Sequence, residues 1–300
     1  MAKAVSESVI VITGASSGIG RATALELARR GASVVVAARR ATLLEEVAEQ
    51  CRHLGASSAM AVPTDVTSEV AVQNLARQTQ AAFGRFDVWI NNAGVLAAGR
   101  FQDIPSDVFN RVIETNFLGY VYGARAALQQ FLGQGYGILI NNASLESQIG
   151  APYFSPYTAS KFAVRGFSES LREELEALDN SDIHVCTVMP ATIDTPLFQH
   201  AANYTGRAVK ALPPVYDVEQ AVKTLVGLIE HPQREVFVGS AGRMITAMHT
   251  LAPGAAEKTF AQQVDKGHLS HDQPVPASPG NLFEPVQEGS GATGGWKAKK

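Results

Sequence analysis

The apolar run VIVIT at residues 9–13 ends directly in a glycine-spaced loop, TGASSGIG, which opens the amphipathic segment GRATALELARR. Nothing else in the chain constrains its fold as strongly as this order of strand, loop and helix. Glycines such as Gly14, Gly18 and Gly20 let a backbone turn sharply and approach a ligand closely. A helix start offers unpaired N–H groups and a positive dipole end to a phosphate. With Ser16, Ser17 and Ile19 in the same stretch, the loop reads as a cradle for the pyrophosphate of a dinucleotide; a plain glycine turn is the alternative.

The same alternation of strand and helix recurs along the chain. Short β-branched runs lie at 9–13, 33–38, 59–64, 86–92, 136–144, 183–190 and 234–239. The segments between them, such as ATLLEEVAEQCRHL, carry apolar residues at helical spacing. Seven strands separated by helices predict an α/β fold with a Rossmann-like, doubly wound parallel sheet flanked by helices. Residues 1–240 read as a single Rossmann-type domain. Residues 241–300 form an extension, helix-like to about 265 and then rich in Gly, Pro and Ser. In its helical part Met244, Met248 and Leu251 make an i, i+4, i+7 stripe of the kind usually found in a core. The extension could close a substrate cleft or join subunits. In the tail, Leu282, Phe283 and Trp296 are apolar enough to lie along the body or on a neighbouring subunit.

Composition narrows the function. A chain of 300 residues, 46% hydrophobic, can bury one sizeable core. Its 25 basic and 28 acidic residues, net charge −3, form no long block, so neither a nucleic-acid footprint nor a polybasic membrane patch is expected. No signal peptide or bilayer-spanning stretch is read, and the expected location is cytoplasmic. Cys51 and Cys186 read as small buried hydrophobes, and the seven histidines are scattered without ligand spacing, so no metal is expected.

The end of the second strand bears on which dinucleotide binds. An acidic residue there would accept from a ribose 2′-hydroxyl, whereas this chain has Ala38-Arg39-Arg40. A guanidinium pairs bidentately with phosphate, which points to NADP, with Ser16 and Ser17 as added donors; a solvated arginine pair is the alternative. Further along, YTASK at 157–161 sets Tyr157 and Lys161 on one helix face. That pair is either an exposed helical turn or a proton-transfer device.

Taken together, TGASSGIG at 13–20, Asp65-Val66, NNAG at 91–94, Asn116 in ETNFLG, Ser144 in INNASL, YTASK, and Pro190 followed by Thr195 resemble the short-chain dehydrogenase/reductase family over roughly residues 8–240. The resemblance implies that Asp65 and Val66 hold an adenine, that Asn92, Ala93 and Gly94 pass close to its ribose, and that Pro190, Ile193 and Thr195 surround a nicotinamide. It also implies that Tyr157 is the acid/base, that Lys161 binds the nicotinamide ribose, that Ser144 bonds the substrate oxygen, and that Asn116 holds a water linking Lys161 to solvent. Ser144 could instead be a strand-end cap, and Asn116 a helix-packing polar residue. Ala191 stands where the family usually has glycine.

The chemistry then expected is interconversion of a secondary alcohol and a carbonyl. A phenol near pKa 10 needs a neighbouring cation to act as a base at neutral pH, and Lys161 is one helical turn away. Leu145, Ile149, Tyr153, Leu197 and Phe198 suggest an apolar pocket for an aliphatic, aromatic or steroid-like molecule. Family members usually pair through the long helices that here follow residues 106 and 156, so a homo-oligomer is expected. The competing class is a non-catalytic dinucleotide sensor or scaffold that uses the extension to hold a partner.

Overall fold

The computed structural model describes residues 4–286 and 288–297. Seven strands form one parallel sheet: β1 Val9–Thr13, β2 Ser33–Ala38, β3 Ser58–Pro63, β4 Val88–Asn91, β5 Gly137–Asn142, β6 Ile183–Pro190 and β7 Glu235–Val238. Their order across the sheet is β3-β2-β1-β4-β5-β6-β7, reversing direction between β1 and β4. Ligand crevices in open α/β sheets lie outside the strands' carboxyl ends at such a switch point. The glycine loop after β1 and the NNAG stretch after β4 both emerge there.

Successive strand residues point to opposite faces, and both faces are covered. On one face Ile10, Ile12, Val34 and Val36 pack with Leu27 of α1 (Gly18–Arg29), Leu44 of α2 (Ala41–His53) and Leu225 of a later helix, Val218–Glu230. Opposite them, Val9, Val11 and Val35 meet Leu75 of α3 (Glu69–Phe83) and residues of α5 (Gly119–Gln134) and α6 (Ser155–Ala177). The short α4 (Ser106–Ile113) packs in a separate cluster through Val108 and Val112. Full burial of one such aliphatic side chain contributes about 1.5–3 kcal/mol, so this two-sided core dominates stability. Between α4 and α5 the chain makes a π turn, Glu114–Leu118, which carries Asn116.

After α7 (Val218–Glu230) and β7 come two helices rather than one, α8 (Ser240–Leu251) and α9 (Pro253–Gly267). Pro253 separates them: it lacks an N–H and is tolerated only in a first helical turn, where it sits. The expected core stripe is corrected here. Met244, Met248 and Leu251 are 61%, 45% and 85% exposed, and α9 instead packs inward through Ala256, Phe260 and Val264. A methionine stripe satisfies helical periodicity equally well on a cavity wall, where Met244 and Met248 in fact lie. Beyond α9 the strand Leu269–Pro274 pairs antiparallel with Arg207–Val209, and the tail then crosses the body in irregular conformation.

Gly123 of α5 lies over β4, where an added Cβ would sit 2.7 Å from Trp89 Nε1 and 3.0 Å from Asn91 Cγ. Trp89 Nε1 donates to Asn91 Oδ1 at 2.8 Å, so neither side chain can yield without losing a buried hydrogen bond. Gly123→Ala is expected to cost about 1–3 kcal/mol. Gly166→Ala, in the exposed face of α6 with no atom within 4 Å of the new methyl, is expected to be neutral or stabilising by up to about 1 kcal/mol. Urea unfolding of the two variants checks the contrast.

Candidate active and dinucleotide site

A cavity of ≈ 710 Å³ opens at the carboxyl ends of β1, β4 and β5. The glycine loop, Arg39, Arg40, Asp65 and Val66 line one half of it. The other half is walled by Leu145, Phe154, Leu197, Phe198 and residues of α8 and α9. Ser144, Tyr157 and Lys161 lie in the same lining. Of the residues expected to form the pocket, Ile149 and Tyr153 do not line it. Ile149 is fully buried, and Tyr153 turns its hydroxyl to Asp265 at 3.0 Å.

At the arginine end, Arg40 folds back over the glycine loop. Its Nε and Nη2 donate to Ser16 Oγ at 3.2 and 2.8 Å, and Nη2 also reaches Ser17 Oγ at 3.0 Å. Arg39 lies beside it, near the carboxylate of Asp65. Burial holds both guanidiniums below their ordinary pKa; at Arg39 the Asp65 and Glu284 carboxylates oppose the fall and Arg111 adds to it, and at Arg40 the neighbouring Arg39 and Arg21 add to it. Both guanidiniums are half-buried, and their hydrogen bonds run to hydroxyls and backbone carbonyls.

The loop itself is built for close approach. An added Cβ on Gly14 would stand 2.6 Å from Ala93 Cα, and Gly14 and Gly18 hold φ of +67° and +56°. Gly20 lies within the fold rather than on the cavity, packed on Asn92 Nδ2 and Gly14 O. Asn92 also ties strands together, donating to Thr13 O at 3.0 Å and accepting from Asn142 Nδ2 at 2.9 Å. Ala191 has no left-handed backbone and donates to Val238 O at 3.0 Å, so alanine sits there without strain.

At the inner end, Lys161 Nζ donates to Asn142 O at 2.8 Å and stands over the rings of Tyr120 and Tyr157 at 5.1 and 5.6 Å. Burial pulls the ammonium down to about 7, with the Glu146 carboxylate opposing that fall. Burial also raises the Tyr157 phenol well above its ordinary value; Glu146 adds to the rise and the Ser144 hydroxyl opposes it. Ser144 fulfils the capping reading as well, its Oγ accepting from Glu146 N at 3.1 Å. Asn116, carried by the π turn, clamps Val95 through both backbone groups at 2.8 and 2.9 Å and donates to Ser160 Oγ at 3.1 Å.

A family model described as short chain dehydrogenase matches residues 8–205. This chain belongs to the short-chain dehydrogenase family. It is 38% identical over 258 residues to an uncharacterized oxidoreductase, YxnA, of Bacillus subtilis, spanning 85% of this chain and 72% of that protein. An 11-beta-hydroxysteroid dehydrogenase A of Sesamum indicum is 36% identical over 228 residues, covering 73% and 64% of the two chains. Among solved structures, an alcohol dehydrogenase from Thermococcus sibiricus complexed with 5-hydroxy-NADP superposes with a TM-score of 0.67 at 26% identity, over 77% of this chain and 95% of that one. A short-chain dehydrogenase/reductase of Burkholderia phymatum in complex with NAD gives 0.76 at 24% identity, over 84% and 96%, and shows the fold alone.

Three features of this short-chain dehydrogenase were not foreseen from its sequence. Glu146 lines the cavity two residues after Ser144; burial lifts it to about 7, against the hydrogen bond from Thr158 and the charge of Lys161. His268, held between Phe154 and Phe198, is pushed down to about 4 by burial and stays neutral near pH 7. The tail crosses the arginine end of the site. Glu146 had a signal as the carboxylate two residues after Ser144, and the apolar Leu282, Phe283 and Trp296 marked a tail that lies along the body without marking where. Because its negative charge raises the phenol, Glu146→Gln is expected to let Tyr157 ionise at lower pH. A phenolate absorbance titration reads this, with Tyr157→Phe identifying the transition.

Proposed function

We propose that this oxidoreductase interconverts a secondary alcohol and a ketone or aldehyde with NADP(H) as cofactor, on a hydrophobic small molecule. The reading is carried by the meeting of Ser144, Tyr157 and Lys161 where the glycine-loop half of one cavity joins its apolar half. A bound nicotinamide would supply or take the hydride at the carbinol carbon. In reduction Tyr157 donates its proton to the carbonyl oxygen, and burial suits that task by keeping the phenol protonated at neutral pH. Ser144 donates a hydrogen bond to the same oxygen and stabilises its developing charge. In oxidation the phenol must first lose its proton, which Lys161 favours electrostatically in its charged form, its pKa held by burial at about 7. Asn116 acts through Val95, holding the backbone beside Gly94.

The residues present fit the dinucleotide. Asp65 and Val66 would meet the adenine, Asn92, Ala93 and Gly94 its ribose, and Pro190, Ile193 and Thr195 the nicotinamide; all of them line the cavity. Arg39 and Arg40, with Ser16 and Ser17, favour a 2′-phosphate over a bare hydroxyl. For the substrate, the apolar wall of Leu145, Leu197, Phe198 and Phe260 suits a bulky rigid molecule, and relatives named hydroxysteroid dehydrogenases support that class. Among the described residues no helix is long and apolar enough to cross a membrane. We place the protein in the cytoplasm as a homo-oligomer pairing through α5 and α6, where Leu132 and Phe162 are exposed.

Fluorescence titration of the purified protein tests the cofactor. A charge-assisted phosphate contact contributes about 1.5–3 kcal/mol, so NADPH should bind at least about tenfold more tightly than NADH. Arg39→Ala should abolish most of that preference. Equal binding of the two nucleotides by the wild type would overturn the NADP reading. Turnover tests the chemistry separately: Tyr157→Phe should lower the rate on hydrophobic carbonyls by about 10²–10⁴ while leaving NADPH affinity nearly intact. An unchanged rate would leave a binding protein.

A further inference from the structure

The tail does more than cover apolar surface. At its start, Asn281, Leu282 and Phe283 turn three carbonyls onto Arg39: Nη2 donates to Asn281 O at 2.6 Å, and Nη1 to Leu282 O and Phe283 O at 3.0 Å each. Arg40 Nη1 donates to Val286 O at 2.7 Å. Farther on, Gly18 N in the phosphate loop donates to Gly291 O at 3.0 Å, and Arg21 Nη1 to Ser290 O at 3.0 Å. The tail then reaches the opposite end of the site. Asp194 Oδ1 accepts from the backbone N–H groups of Gly294 and Trp296 at 3.0 and 2.9 Å, and Trp296 Nε1 donates to Thr195 O at 3.0 Å.

Two apolar anchors hold this path. Leu282 is fully buried among Val95, Ile104, Val108 and Ala202, and the Trp296 ring stands edge-on to Phe198 at 6.1 Å. The cavity stays open beneath, with Asn281, Pro285 and Val286 in its lining. Carbonyls are neutral acceptors that orient the guanidiniums, while the Glu284 carboxylate of the tail and Asp65 offset part of the charge at Arg39. The bonds just described occupy three of the five N–H groups of Arg39 and leave its Nε–H and one Nη2–H for another acceptor.

We infer that the tail, residues 281–286 and 288–296, is a strap that walls the dinucleotide site along its length and positions Arg39 and Arg40 for a 2′-phosphate. The inference rests on the NADP(H) reading above. An arginine held in place before binding loses less side-chain entropy when phosphate arrives, so the strap adds affinity for NADP(H) that NAD(H) cannot use. By linkage, the cofactor must also tighten the strap.

Leu282→Ala removes the anchor beside Arg39 and Trp296→Ala the one beside Thr195. Each is expected to weaken NADPH about tenfold while changing NADH less than about threefold, with circular dichroism confirming the fold. In the wild-type full chain, NADPH should slow cleavage by a glutamate-specific protease at the exposed Glu288, mapped by mass spectrometry. Faster cleavage with NADPH, or equal losses of both nucleotides in both variants, would overturn the strap. Equal NADPH and NADH binding by the wild type would remove the cofactor reading and the strap with it. A wild-type preference lost in Arg39→Ala but kept in both anchor variants would remove the strap alone.

Discussion

The carboxyl ends of β1, β4 and β5 bring together polar side chains that the sheet has already buried, and each must find a partner there. Thr13 Oγ1 accepts from Asn92 N and Ala93 N at 3.0 and 3.2 Å. Asn91 Nδ2 donates to Asn141 Oδ1 at 2.9 Å, Asn141 Nδ2 to Ser168 Oγ at 2.9 Å, and Asn142 Nδ2 to Asn92 Oδ1. A made hydrogen bond is worth only about 1 kcal/mol net, but a buried polar group left alone costs about 1–3 kcal/mol. The network therefore holds register more than it adds stability. It also sets the site, because Asn142 O, fixed by that lattice, accepts both Lys161 Nζ and the Tyr120 hydroxyl at 2.8 and 2.9 Å.

From that anchor the two ends of the cavity diverge in electrostatic character. Cations crowd together at the outer end and are satisfied by hydroxyls and backbone carbonyls. At the inner end a lysine, a tyrosine and a glutamate are buried together, and burial moves each toward its neutral form. One crevice thus presents a fixed positive field at one end and a group of labile protons at the other.

Much of this was legible in the chain. Strands of unbroken apolar residues, such as SVVVAA, announce a sheet covered on both faces, and three of the seven runs coincide with the observed strands to the residue. That the glycine loop and YTASK share one crevice was legible because strand order and helical spacing set where those side chains fall. The strap was not, because it meets Arg39, Arg40 and Gly18 through carbonyl oxygens, which every residue possesses. The methionine stripe of α8 misled for a related reason: periodicity marks an apolar face without saying whether core, cavity or solvent lies opposite. Glu146 needed the third dimension, since its effect on Tyr157 depends on the walls around both.

The π turn at Glu114–Leu118 constrains how such a chain can change its length. A π turn holds one residue more than the regular helix around it. On one side of it Val108 and Val112 join the cluster around Leu282; on the other, Ala124, Ala127 and Phe131 address the sheet. Dropping a single residue there would restore uniform winding and leave the two halves facing as they do. Within the regular winding on either side, between Ser106 and Gln134, an insertion or deletion would instead rotate every contact beyond it by about 100°. Length variation among relatives is therefore expected at the left-handed glycine turns Gly84 and Gly135, where no phase is carried forward.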